Sequence, residues 1–368
     1  MTRRADGVVH VLNELKYSGA ETLLSSGSNW LIADLSPQYI LSTGGNVGDY
    51  APTLIECGYE VIHIPFRKTV SYGMEFAKFI RSNPSRIVHI HAERGFMLHA
   101  ILALLAGKKV VRTVHNAFRF SGPLRILRAC ERYLLSRAGV RMVACSQHVR
   151  QTEAETFLNR SVVVQNWIDT RRFRKRSASE RRDARADLGI PESSFVLVSV
   201  GNHGKAKNQE AIVEAVRMSQ PDMPVLYLHC GEGERDLRAA LDITEADPVR
   251  FLGPVREVEK ILRAADLFAS PSHFEGGPLA LFEAAATGLT CITTRVGMAT
   301  QLEGHDEIIF VGVTPAEIAL ALRKAHRQGL EKGPDHQGKL PDFVAAHFGP
   351  ETGAGAYSTL YRELLRGH

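Results

Sequence analysis

Short β-branched runs alternate with helix-period segments along the whole chain, and this alternation restricts the fold more than any other feature. In the first half the runs are 8–12, 38–42, 60–64, 86–91, 110–115, 142–145 and 161–164; in the second they are 195–200, 224–230, 249–252, 266–269, 290–294 and 307–311. Strands separated by helical stretches build parallel sheets with crossover helices. The expected class is therefore α/β, and 368 residues allow two domains of ordinary size. Thr314-Pro315-Ala316-Glu317 reads as a capping box that starts a helix. Open parallel sheets bind ligands beyond the carboxyl ends of their strands, so the loops at those ends are where chemistry is expected.

One such loop is richer than the others. Residues 268–288 read FASPSHFEGGPLALFEAAATG. Gly276 and Gly277 precede Pro278, and proline suits the first helical position, where its missing N–H costs nothing. Leu279 to Thr287 should be helical, with Gly288 as the stop. A glycine turn into a helix N-terminus offers free N–H groups and a positive dipole end, which suits an anion. Glu283 is the one charge in this Ala-rich helix. An apolar helix is buried, and a buried carboxylate needs partners, for which sugar or ribose hydroxyls are suitable. On shape alone, a core helix with one exposed Glu explains the same residues.

The spacing adds a second line of argument. Glu275 and Glu283 are separated by seven residues, and Gly288 follows five after Glu283. This resembles the Glu-x7-Glu signature of the retaining GT-B glycosyltransferases, specifically glycosyltransferase family 4, in its EGxP version. The resemblance implies two Rossmann-like domains with parallel sheets facing a central cleft. Residues 1–169 would bind acceptor and 170–351 the nucleotide sugar, with helix 352–368 packing back on the first domain. It implies that Glu275 lies by the donor sugar and Glu283 binds the ribose, while the backbone of Gly276, Gly277, Pro278 and Leu279 faces sugar and diphosphate.

Other loops match the same family in the same order. Ser18-Gly19-Ala20-Glu21 resembles the GGxE loop that approaches the donor phosphates, with Ser18 replacing the first glycine. Gly201-Asn202-His203-Gly204-Lys205-Ala206-Lys207-Asn208 follows a strand where the family has Gly-Arg and then Lys to hold the diphosphate. Lys207 matches, and Asn202 stands where Arg is expected, which removes a bidentate phosphate clamp. Lys205 or His203 is the expected compensation. Gly231-Glu232-Gly233 follows a strand, where the resemblance implies a turn beside the nucleotide base, and Phe251-Leu252-Gly253 resembles the family's base-contacting segment. The resemblance puts His115 beside the donor sugar's exocyclic group. It thereby names Glu275, His115 and Lys207 as the residues that carry the chemistry. Asn166-Trp167-Ile168-Asp169 resembles an NGxD segment with Trp167 replacing Gly, and Met298 and Gln301 stand where the family commonly has Gly and Glu.

Metal chemistry is not expected. His89 and His91 share one strand face, yet no third ligand is evident, and the chain has no Asp-x-Asp motif. The five cysteines are scattered and odd in number, which points to a reducing compartment. Residues 1–16 lack the apolar run of a signal peptide, and the longest apolar stretch, 97–106, is far short of a membrane span. A cytoplasmic location follows as the expectation. Eight Arg or Lys fall between Arg171 and Arg185, but acids interrupt them, so a solvated linker and first helix are expected rather than a nucleic-acid arm. Residues 119–141 carry Arg119, Arg125, Arg128, Arg132, Arg137 and Arg141 with an apolar companion face. Such a basic amphipathic helix reads as an acceptor or anionic-membrane surface, and several enzymes of this family act on lipid-linked acceptors at the inner face of the membrane. An ordinary core-packing helix is the competing expectation.

The expected function is retaining transfer from a UDP- or GDP-type sugar to a glycan or lipid-linked acceptor, in cell-surface polysaccharide or glycolipid synthesis, without metal or cofactor. A GT-B sugar-nucleotide epimerase and a catalytically weak paralogue that binds a nucleotide sugar or a partner protein are the rivals. The missing Arg at position 202 and Gln301 sustain the last.

Overall fold

The computed structural model describes residues 5–117, 120–220, 223–332 and 338–367. All thirteen expected strands form, with ends that move by a few residues. The chain divides into two units, residues 1–167 with 350–368, and residues 168–349.

In the first unit the strands are β1 (Ala5–Leu12), β2 (Gln38–Ser42), β3 (Glu60–His63), β4 (Ser85–Ile90), β5 (Lys109–Val114), β6 (Arg141–Ala144) and β7 (Val162–Val163). They form one parallel sheet in the order β3-β2-β1-β4-β5-β6-β7. The order reverses between β1 and β4, the switch point where such sheets open to ligands. Helix Pro350–Arg366 packs on helix Gly19–Asp34 within this unit. Trp167 explains that contact. Its ring lies where a Cβ on Gly27 or Gly353 would stand, 2.7 Å and 2.1 Å from the nearest ring carbons. Its indole N–H donates to Ser26 Oγ at 3.0 Å. The glycine expected at 167 is thus replaced by an aromatic that fills a gap made by two helical glycines.

In the second unit the strands are β8 (Phe195–Val200), β9 (Val225–Cys230), β10 (Val249–Gly253), β11 (Leu267–Ser270), β12 (Thr290–Thr293) and β13 (Ile308–Phe310), in the order β10-β9-β8-β11-β12-β13. All pairings are parallel. Alternation along β8 sends Val196 and Val198 to one apolar core and Leu197 to the other, as a sheet covered on both faces requires. Thr314 and Glu317 form the expected cap of helix Pro315–Lys332.

The basic run 171–185 departs from expectation. Arg176, Arg181 and Arg185 are buried. Arg185 pairs with Asp266 at 2.6 Å and donates to the carbonyls of Ala264, Pro191, Glu192 and Ser194. Arg176 donates to the carbonyls of Arg263 and Ala265. These guanidiniums stitch helix Ala178–Asp187 to the second unit's core, because a long planar donor can satisfy several carbonyls at once. They are not a solvated linker. Among the described residues no helix is long and apolar enough to cross a membrane.

Candidate functional site

The turns beyond β8, β9 and β10 are tied to one another by their backbones. Gly201 N–H donates to Cys230 O at 2.8 Å, His203 N–H to Glu232 O at 2.7 Å, and Gly231 N–H to Gly253 O at 2.8 Å. Gly231, at φ 150°, leaves no room for a side chain: a Cβ there would sit 2.3 Å from Gly201 O. Asn202 braces the same contact, its Oδ1 accepting from the Glu232 N–H at 3.0 Å. A guanidinium, which only donates, could not make this bond.

Lys207 links these turns to the β11 loop. Its Nζ lies 2.5 Å from Glu275 Oε1, which also accepts from Ser272 Oγ at 3.1 Å. The lysine stem runs over Gly201, where a Cβ would meet Cε at 3.4 Å. Lys205 is exposed and joins none of these contacts. Asn208, in the left-handed region at φ 59°, donates to the carbonyls of Pro271 and Val313. Two features here lay outside sequence reasoning. Gly297, at φ 54°, lies so close that a Cβ would stand 2.5 Å from Gly276 O, so its backbone supports the Glu275-Gly276 turn. Gln209 Nε2 donates to Asn202 O at 3.1 Å and closes the Gly201 loop from beneath. A glycine after a strand, such as Gly297, is a weak signal without its contact partner in view.

Helix Leu279–Thr287 forms as expected and ends at Gly288 with φ 91°. Pro278 is the residue before the helix, not its first residue: with φ −73° and ψ 80° it accepts the first bond, from Leu281 N–H at 3.0 Å. The amides of Leu279 and Ala280, ahead of that bond, have no intrahelical carbonyl to donate to. Glu283 is 7% exposed, and among the described residues nothing hydrogen-bonds its carboxylate. Burial pushes its pKa up to about 7; the charge of Arg172 acts in the opposite direction, and Glu259 and Asp169 add to the rise. Arg172 itself is committed to Glu259, at 2.7 Å.

In the first unit, Ser18 precedes helix Gly19–Asp34 in extended backbone, and Gly19 is exposed. Glu21 of that motif turns inward, bonded by Ser18 Oγ, and burial pushes it up to about 7. His115 follows β5 and is half-buried, its Nε2 2.9 Å from His91 Nδ1. His10, invisible as a partner in the sequence, joins them: His91 Nε2 lies 3.1 Å from His10 Nδ1. The ring nitrogens of His10, His89 and His91 lie within 4.8 Å of one another, so the third potential metal ligand that the sequence did not show is present. Yet each nitrogen is already hydrogen-bonded, including His10 Nε2 to Gln38, and His89 to Tyr361 and Thr113.

Helix Gly122–Arg137 corrects the basic-surface expectation. Arg119 lies outside the described residues. Arg132 is 1% exposed and pairs with Glu153 at 2.9 Å and Glu93 at 3.2 Å. Arg128 pairs with Glu131 at 2.6 Å. Arg128 and Arg132 therefore face inward, and of the described arginines in this segment Arg125, Arg137 and Arg141 remain exposed. The outward side carries Ile126, Leu127, Tyr133 and Leu134 instead. Its polarity is the reverse of an ordinary surface helix.

Comparison with known proteins agrees with these motifs. The model of the glycosyl transferases group 1 matches residues 180–336, and that of Glycosyltransferase Family 4 matches residues 42–172. The N-acetyl-alpha-D-glucosaminyl L-malate synthase of Bacillus anthracis is 26% identical over 76% of this chain and 75% of its own length. The UDP-Gal:alpha-D-GlcNAc-diphosphoundecaprenol alpha-1,3-galactosyltransferase of Escherichia coli is 28% identical over 67% of this chain and 66% of its own. The crystal structure of Anabaena Alr3699/HepE in complex with UDP and glucose superposes with TM-score 0.80 at 17% identity, covering 99% of this chain and 100% of that one. That likeness establishes the GT-B fold.

Proposed function

The chain belongs to glycosyltransferase family 4, and on that premise we propose that it transfers a sugar, with retention, from a nucleoside-diphosphate sugar to a glycan or lipid-linked acceptor in cell-surface polysaccharide or glycolipid synthesis. The observation that carries the donor assignment is Glu283, a buried carboxylate on a helix at the carboxyl edge of the second sheet, to which no group among the described residues donates a hydrogen bond. Buried charges without partners are costly, and ribose hydroxyls would supply the missing donors. Lys207 and the first-turn amides of helix Leu279–Thr287 neutralise the departing diphosphate by preorganised electrostatics, in place of a metal. Glu275, held by Lys207 and Ser272, orients the sugar. The backbone of Gly201, Gly231, Gly253, Gly276, Gly277, Pro278 and Leu279 lets the donor approach closely, and Asn202 and Lys205 border the phosphates.

The first unit contributes Gly19, His115 and the acceptor surface. The departing phosphate takes the acceptor's proton, so no protein nucleophile is required. A lipid-linked acceptor is favoured by the apolar outward side of helix Gly122–Arg137, flanked by Arg125, Arg137 and Arg141, and by the acceptor named for the E. coli relative. Peripheral contact with the inner face of an anionic membrane follows from the same surface.

Incubation with a panel of UDP- and GDP-sugars, with and without lipid-linked and soluble glycan acceptors, tests the reading. Nucleoside diphosphate should appear only when acceptor is present, with a new glycosidic bond of the donor's configuration. Donor consumed without acceptor would indicate epimerisation or hydrolysis. Binding without turnover on any acceptor would indicate a binding paralogue.

A further inference from the structure

Gln38, His10, His91 and His115 form a single hydrogen-bonded row across one face of the first sheet. The row starts at the amino end of β2, crosses β1, and leaves the sheet beyond the carboxyl ends of β4 and β5. Its spacings are 2.8 Å from Gln38 Oε1 to His10 Nε2, 3.1 Å from His10 Nδ1 to His91 Nε2, and 2.9 Å from His91 Nδ1 to His115 Nε2.

The direction of every proton in this row is determined at its buried end. Gln38 Nε2 donates to Leu31 O and Leu35 O, both at 2.8 Å, which fixes the amide with Oε1 toward His10. His10 Nε2 must therefore donate. A neutral imidazole has one donor and one acceptor, so His10 Nδ1 accepts and His91 Nε2 donates. The same step leaves His91 Nδ1 accepting and His115 Nε2 donating. Burial keeps the rings neutral, lowering His10 to about 4 and His115 to about 3, and lowering His91 as well. The last atom of the row, His115 Nδ1, is an acceptor. Among the described residues it has no partner, and it is not sealed from solvent.

We propose that Gln38, His10 and His91 are positioning residues that lock His115 in its Nε2–H tautomer, so that His115 offers a lone pair to substrate and selects a neutral sugar hydroxyl against a carboxylate. A hydroxyl donates to Nδ1. A uronate carboxylate has only lone pairs to present there, and meets repulsion. The proposal rests on the transferase reading above, in which a sugar of the substrate reaches His115.

Imidazole nitrogen NMR on the histidine-labelled full chain tests the lock without any substrate. His115 should be a single species, protonated on Nε2. In His91→Phe, which keeps an aromatic ring but breaks the row, and in Gln38→Met, which removes the terminal acceptor, His115 should become a tautomer mixture. His115 protonated on Nδ1, or mixed in the parent protein, overturns the proposal. If neither variant folds, the parent spectrum alone decides. Competition between UDP-glucose and UDP-glucuronate gives the second readout. The parent should favour the glucose form, and His91→Phe should narrow that preference by roughly three- to tenfold, the scale of one hydrogen bond. Equal or tighter binding of the glucuronate form by the parent overturns the selection. If neither of these two nucleotide sugars binds, the donor is of another type, and the spectrum decides the lock.

Discussion

Two buried charge clusters, one in each unit, have opposite bookkeeping. In the first unit, Arg132 and Glu153 are each 1% exposed and face one another at 2.9 Å, with Glu93 joining Arg132 to Arg112. Its charges are closed among themselves, although Arg112 also donates to the carbonyls of Ile90, His91 and Thr113, Asn159 donates to Glu153, and among the described residues Glu153 Oε1 and Arg112 Nε have no hydrogen bond. In the second unit, Glu283 is almost as deeply buried, yet its carboxylate has no hydrogen bond among the described residues. Arg172, whose charge opposes the rise, pairs with Glu259. The difference separates a structural use of charge from a binding one. A charge-paired network holds a fold together, whereas we propose that the buried, unbonded carboxylate of Glu283 takes its partners from a ligand.

The largest effect should come from opening the closed cluster. Arg132→Leu leaves Glu153 buried without its cation, and should cost about 3–5 kcal/mol in a denaturant titration. A loss under about 1 kcal/mol would mean that the cluster is not closed in solution. Glu283→Ala should do the reverse, leaving the unfolding midpoint unchanged or raised. It should weaken nucleotide-sugar binding by about 1.5–3 kcal/mol, the worth of a charged hydrogen bond. Calorimetry showing unaltered affinity for every donor the parent binds would remove the distinction. Lys207→Ala should lower turnover roughly tenfold, on the scale of one charge-assisted contact, and EDTA should change neither protein's rate. Activity lost on chelation and restored by Mg²⁺ would show that a metal, not Lys207, balances the diphosphate. Smallest in stability is the outward side of helix Gly122–Arg137. Ile126→Glu with Leu134→Glu should shift stability by no more than about 0.5 kcal/mol per site while abolishing co-sedimentation with anionic vesicles. Full retention of vesicle binding would place any membrane contact elsewhere.

The same contrast shows how far the sequence could be read. Every strand was legible, because β-branched runs and glycine stops are local signals. Helix Leu279–Thr287 and its Gly288 stop were legible for the same reason, though proline's preference for a first turn placed Pro278 one residue too far in. The burial of Glu283 was legible from the apolar helix around it, but inward-facing arginine was not. The amphipathic reading of residues 119–141 assumed that arginine faces water. The partners that overturn this for Arg132 are Glu93 and Glu153, 39 and 21 residues away. His10 was missed as a neighbour of His89 and His91 because only the pairing of β1 with β4 brings them together. The brace that Asn202 provides likewise depends on Glu232, which no spacing rule connects to it.

If the Glu283 carboxylate binds the donor, its proton reports that contact most directly. Burial holds its pKa at about 7, above the roughly 4.3 of an unfolded glutamate. The folded chain therefore keeps a proton that the unfolded chain has lost, and the stability contributed by that proton is present below the unfolded value and lost as pH rises through about 7. Ribose hydroxyls donating to the carboxylate favour its charged form. Donor binding should then release a proton and tighten as pH rises through about 7. Titration calorimetry of the bound nucleotide sugar near pH 7, in two buffers of different ionisation enthalpy, reads this release. The parent protein should release a net proton, and Glu283→Gln none attributable to this site. Equal release by both proteins, or none by the parent across that pH range, would contradict it.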